Sequence, residues 1–224
     1  MKIITAKNLT KIFRKIIALD DISVKIPKGF TLIIGPNGGG KSTFLKIATG
    51  VYKPTKGRIE VFGKDPWRDD EIKKRIGVSF DPPALPPFRS AKEWLDAVAE
   101  VKDLERSAVQ KVCNEFGLGS FINRLTRDYS AGMLKRVSLA QAFIGEPELI
   151  FLDEPLANLD VDGMKQVIEL LSSKAEESNF VVISHIWRPL LSIADFVVFF
   201  SGGKIKAKGT PEEISDVLKG YRLL

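Results

Sequence analysis

Residues 35–43 read GPNGGGKST, and they constrain this chain more than any other stretch. The apolar TLII at 31–34 precedes the run and FLKIATG follows it. A buried strand therefore enters a glycine-rich turn and leaves as a helix closed by Gly50. Glycines allow the backbone to curl into a ring of N–H groups that surrounds phosphate oxygens, and the start of the helix adds roughly half a positive charge. The spacing from Gly35 to Gly40, Lys41 and Ser42 fits the phosphate-binding loop pattern. On this reading Gly35, Pro36, Asn37, Gly38, Gly39 and Gly40 form the cradle. Lys41 reaches the β- and γ-phosphates, and Ser42 ligates Mg²⁺, with Thr43 beside it. A flexible glycine-rich turn is the plainer reading of the same letters.

A second apolar run, LIFLDEP at 149–155, ends in two acids. A buried parallel strand delivers such residues at its carboxyl end, where open α/β sheets bind ligands. Asp153 is then placed to hold Mg²⁺ and Glu154 to act as general base on a water attacking the γ-phosphate. The plainer reading is a pair of solvated acids at a strand end. His185, the one histidine, follows FVVIS at 180–184 and also sits at a strand end. It is either a surface histidine or a donor to a γ-phosphate oxygen.

Alternation and apolar runs predict further strands at 22–26, 57–63, 196–200 and 203–209. Between 90 and 146 the pattern is helical. Ser90 and Glu93 form a capping box, Asp103 is the expected cap of a helix ended by Gly117, and a third helix runs from Ser130 to about Ile144. Another helix spans roughly 162–176, and Thr210-Pro211-Glu212-Glu213 opens the last. The expected architecture is an α/β phosphate-loop NTPase core with a mostly parallel sheet, an N-terminal antiparallel β part and an inserted helical subdomain. Residues 1–83 and 147–224 would form the core and 84–146 the helical subdomain.

The chain has 224 residues and a net charge of +6, which permits anionic partners without choosing among them. No apolar run reaches the roughly 18 to 20 residues of a membrane-spanning helix, and the lysine-broken N-terminus is unlike a signal peptide. A single cysteine, Cys113, excludes an intrachain disulfide and a cysteine-based zinc site, which fits a reducing cytoplasm.

In their order along the chain these motifs resemble those of the ATP-binding cassette (ABC) ATPases. GPNGGGKST is similar to the family's Walker A motif, LIFLDEP to its Walker B, LANLD at 156–160 to its D-loop, and Ser184-His185 to its switch histidine. YSAGM at 129–133 resembles the family signature LSGGQ, with Ala131 and Met133 as departures. The resemblance implies Mg²⁺-dependent ATP hydrolysis by two copies, or by a heterodimer with a related cassette, closed head to tail. Ser130 and Gly132 would meet the γ-phosphate held by the other copy. It also implies separate transmembrane permease chains, a location on the inner face of the cell membrane and no nucleic-acid partner. A single-cassette ABC ATPase serving a soluble process is the alternative. Two positions are less regular. Asp81 stands where the family usually has the Q-loop glutamine, a metal ligand, and is expected to contribute an oxygen to Mg²⁺. Phe13 matches the adenine-stacking aromatic and reads equally well as a core side chain.

Overall fold

The computed structural model describes residues 2–220. Five strands run parallel at the centre: β3 (Phe30–Ile34), β5 (Ile76–Ser79), β6 (Leu149–Asp153), β7 (Asn179–Ile183) and β8 (Phe196–Ser201). With β9 (Lys204–Gly209), antiparallel to β8, they form one sheet in the order β5-β6-β7-β3-β8-β9. The inner strands lack polar alternation because both faces are covered. Ile150, Leu152, Phe180, Val182, Val197 and Phe199 point into one core, while Leu149, Phe151, Val181, Ile183, Val198 and Phe200 point into the other.

The second core closes against a three-stranded antiparallel sheet, ordered β2-β1-β4, built from β1 (Lys2–Phe13), β2 (Ile16–Pro27) and β4 (Lys56–Val61). Helix α1 (Lys41–Ala48) lies between the two sheets and buries Phe44, Leu45, Ile47 and Ala48 there. A one-turn helix, α2 (Glu71–Arg75), leads into β5.

The first core is roofed by helices, with α3 (Ala91–Val101), α4 (Arg106–Glu115) and α5 (Ala131–Phe143) all lying between β5 and β6 in the chain. Helices α6 (Val161–Lys174) and α7 (Pro211–Gly220) complete the list. Ser90 and Glu93 make the expected capping box on α3, and Thr210 and Glu213 bond each other's backbone amides at the start of α7. The expectation for Asp103 is corrected. Helix α4 starts later, with Glu105 as N-cap and no side-chain capping bond. Asp103 instead has a positive φ of 56° and pairs with Lys74 at 2.6 Å. A left-handed residue cannot supply the extended backbone that a cap needs. Cys113 is buried on α4. Among the described residues, no helix is long and apolar enough to cross a membrane.

Candidate active site

The parallel strands end at one edge, and the chemistry gathers there. The loop 35–40 follows β3, Asp81 lies just past β5, Asp153 ends β6 with Glu154 after it, and Ser184 and His185 follow β7. Since β5, β6, β7 and β3 are neighbours in the sheet, four segments distant in sequence become adjacent. A cleft of ≈ 460 Å³ opens on this edge. It is lined by Ile16, Ile17 and Ala18, by residues 37–43, and by Asp81, Asp153 and Glu154.

Backbone packing dictates the glycines of the loop. Gly35 has φ 140°, and a Cβ there would stand 1.9 Å from the carbonyl oxygen of Phe200. Gly40 is the N-cap of α1 with φ 102°, and a Cβ would come within 2.7 Å of the Ala18 carbonyl. No side chain caps α1, so its first amides face the cleft without a capping partner. Gly203, in the β8–β9 turn, donates its N–H to the Gly39 carbonyl at 3.1 Å and pins the loop from behind.

Lys41 is buried, yet it does not point into an apolar core. Its ammonium folds back on the loop and donates to the carbonyls of Gly35 at 2.8 Å and Pro36 at 3.0 Å. Burial lowers its pKa, with Glu154 and Asp153 working in the opposite direction.

Asp153 is 1% exposed, and neither of its carboxylate oxygens has a hydrogen-bond partner. Burial, then the charges of Glu154 and Asp81, push its carboxyl up to about 6. The nearby Ser42 hydroxyl favours the charged form but makes no bond of ordinary geometry with it. Buried carboxylates are nearly always partnered, and an orphan of this kind calls for a cation.

Glu154 has φ 52°, a backbone region uncommon for a residue with a side chain. Its amide donates to the Ile183 carbonyl at 2.8 Å, and its carboxylate turns back towards β7. There Glu154 Oε2 accepts from the His185 backbone amide at 2.9 Å and lies 2.7 Å from His185 Nδ1. With Glu154 ionised, this second bond requires the hydrogen on Nδ1. The imidazole is otherwise open to solvent, with 57% of its side chain exposed.

Three residues with no expected role complete the geometry. Lys135, on α5, has a fully buried side chain and donates to Asp81 Oδ1 at 2.8 Å and to the Glu154 carbonyl at 3.0 Å. Ile16 and Ile17 are exposed by 71% and 55% and line the cleft. Phe13 is not among the lining residues. Its ring sits edge-on to Tyr52, 5.3 Å between centroids, with the Lys11 ammonium 4.9 Å from its centre. A signal for Lys135 was present in the sequence: Lys135, Ser138 and Gln141 form an i, i+3, i+6 polar stripe on a helix otherwise rich in apolar residues.

Ser130 and Gly132 stand outside this cleft. Ser130 caps α5, its hydroxyl accepting from the Met133 amide at 3.2 Å. A Cβ on Gly132 would meet nothing nearer than the Asn158 carbonyl at 3.6 Å, so packing within this chain does not require a glycine there.

The sequence model of the ABC transporter family matches residues 19–157. The lantibiotic transport ATP-binding protein SrtF of Streptococcus pyogenes is 35% identical over 201 residues, covering 89% of this chain and 87% of that protein. The bacitracin transport ATP-binding protein BcrA of Bacillus licheniformis is 32% identical over 208 residues, covering 91% of this chain and 68% of that protein. Among solved structures, a dimeric post-hydrolysis state of the ATP-binding cassette MJ0796, bound to ADP and Pi, has a TM-score of 0.86 at 26% identity, covering 93% of this chain and 98% of that chain. Sequence, fold and the gathered strand ends agree: the chain belongs to the ABC transporter family, as one of its ATP-binding and ATP-hydrolysing cassettes.

Proposed function

We propose that this chain is the motor subunit of an ABC transporter, in which two cassettes close head to tail around two ATP molecules and hydrolysis reopens them. The observation that carries the reading is the convergence of an uncapped helix start, a buried lysine, an orphaned carboxylate and a histidine-held glutamate on one sheet edge. The amides of Gly38 and of residues 40–43, together with the Lys41 ammonium, would bind the β- and γ-phosphates, while the Gly39 amide is already spent on the Pro36 carbonyl at 3.1 Å. Phosphate oxygens would replace the loop carbonyls that Lys41 now contacts.

Asp153 and Ser42 suit Mg²⁺, an ion usually held by one or two carboxylates or hydroxyls together with substrate phosphates rather than by a full protein cage. When bound, Mg²⁺ supplies charge neutralisation at the transferring phosphoryl group. Glu154 would take a proton from the attacking water. The water oxygen then bonds to the γ-phosphorus, and the bond from that phosphorus to the bridging oxygen breaks to release ADP. His185 would hold Glu154 in place through Nδ1 and present its exposed edge to the γ-phosphate. Ser130 and Gly132 would bind the γ-phosphate held by the partner cassette, a role consistent with their place outside this chain's own cleft.

Separate membrane-spanning chains would receive the motion, placing the cassette peripherally on the inner face of the membrane. By chain order, residues 84–146 would act as the helical subdomain that swings the signature towards the partner. In Glu154→Gln the hydrolysis rate should fall by about 10²–10⁴-fold, with ATP still bound and a dimer visible by light scattering. Undiminished turnover in that variant would remove Glu154 from the mechanism.

A further inference from the structure

Helix α5 is fastened to the β5 segment by three polar ties on one stripe. Gln141 donates to the Val78 carbonyl at 3.0 Å, Ser138 and Ser79 share a buried hydrogen bond of 2.8 Å, and Lys135 meets Asp81 at 2.8 Å. The first two ties are neutral and lie away from the cleft. The third is charged, stands at the cleft and joins three parts of the site. Lys135 is little more than one helical turn from the Ser130 cap, its ammonium holds Asp81, and the same ammonium holds the carbonyl of Glu154.

A fully buried ammonium is tolerated only when it is paired and hydrogen-bonded. Asp81 supplies the one carboxylate partner of Lys135 among the described residues. Asp81 also stands close enough to Asp153 for its charge to be felt there. Unpaired, it would add a further carboxylate to a corner that already contains Asp153 and Glu154.

We propose that Lys135 is a positioning residue of the hydrolytic site: its buried ammonium keeps Asp81 bound to the signature helix and withholds that carboxylate from the metal corner beside Asp153. It would also tie the helix that carries Ser130 and Gly132 to the backbone of the general base. This inference rests on the hydrolytic reading above for its metal corner, but the pairing itself does not.

Two measurements on wild type, Asp81→Gln, Lys135→Gln and the double variant test it. The first is thermal melting of the nucleotide-free protein in a chelator. Each single variant should melt lower, and the double should recover most of the loss, because neighbouring charges that depend on each other are not additive. Additive losses would overturn the pairing. Should Asp81→Gln fail to fold, refolding of the double variant reads the same coupling, and a double that stays unfolded overturns it.

The second measurement is the ratio of ADP dissociation constants in chelator and in Mg²⁺, a quantity that a merely structural lysine would leave alone. Lys135→Gln frees Asp81 and should raise that ratio by on the order of tenfold, with the double variant returning to the wild-type value. An unchanged ratio in Lys135→Gln would show that the lysine withholds nothing from the metal corner and would sink the proposal; a tenfold drop in Asp81→Gln with unaltered melting would assign Asp81 to the metal and sink it as well. A protein that binds no ADP at all would refute the proposed function and leave melting to judge the pair.

Discussion

Replacing Asp153 with asparagine should make the nucleotide-free protein more stable while disabling it. The Asp153 carboxyl is raised from 3.8 to about 6, with burial as the first cause, and neither oxygen has a partner. A shift of that size corresponds to about 3 kcal/mol at 1.36 kcal/mol per unit. The folded state binds the proton more tightly than the unfolded chain, so the cost is fully present above about pH 6 and fades as the pH falls towards 4. At neutral pH the carboxylate is therefore a strained group held ready for a cation. Urea denaturation in a chelator, near pH 7.5, should show Asp153→Asn more stable than wild type by up to about 3 kcal/mol. In melting experiments that is about 6–12 °C for a chain of this size. The gap should shrink towards pH 4. Saturating Mg²⁺ and ADP, at about 100 times the dissociation constant, should add about 2.7 kcal/mol to wild type and much less to the variant. A wild type at least as stable as Asp153→Asn near pH 7.5, without nucleotide, would refute the reasoning.

Two other expectations follow from the same geometry. Burial lowers Lys102 to about 8, and its ammonium donates to the Ile76 carbonyl at 2.7 Å. The unfolded chain then holds the proton more tightly, so stability should rise between about pH 8 and 10.5, by up to about 3 kcal/mol at 1.36 kcal/mol per unit. Denaturation midpoints across that range should lose this slope in Lys102→Met. Base selectivity should be weak, since Ile16, Ile17 and Ala18 line the cleft and aliphatic side chains cannot read base edges. ATP and GTP turnover compared side by side should be similar, and a preference beyond about a hundredfold, some 2.7 kcal/mol, would require an edge-reading contact.

The parts of the site that follow local rules were legible in the sequence. GPNGGGKST and LIFLDEP each combine a strand signal with the residues it must deliver, so Lys41, Asp153 and Glu154 land on one edge as the motifs imply. Ser130 caps its helix for the same local reason. Strands β1 and β5 carry no clear strand signal in the sequence. Lysines punctuate β1, and β5 is only four residues long. Asp103 looked like a cap, but an ion pair with Lys74, 29 residues away, and a left-handed backbone place it otherwise. The Lys135–Asp81 bond joins residues 54 apart and exists only once α5 has packed on β5. Phe13 fits the expected position along the chain, yet its ring is engaged by Tyr52 and Lys11, which no local pattern announces.

The central claim is a composite site, with one cassette's phosphate loop facing the other's signature. Mixing two inactive variants, Lys41→Ala and Ser130→Arg, tests it most directly. In a head-to-tail heterodimer one site carries both lesions, while the other pairs an intact loop with an intact signature. If the two variants exchange freely, half the dimers are mixed and each has one sound site, so the mixture should regain roughly a quarter of wild-type hydrolysis. A mixture no more active than its separate components, with heterodimers demonstrated by cross-linking, would contradict the account.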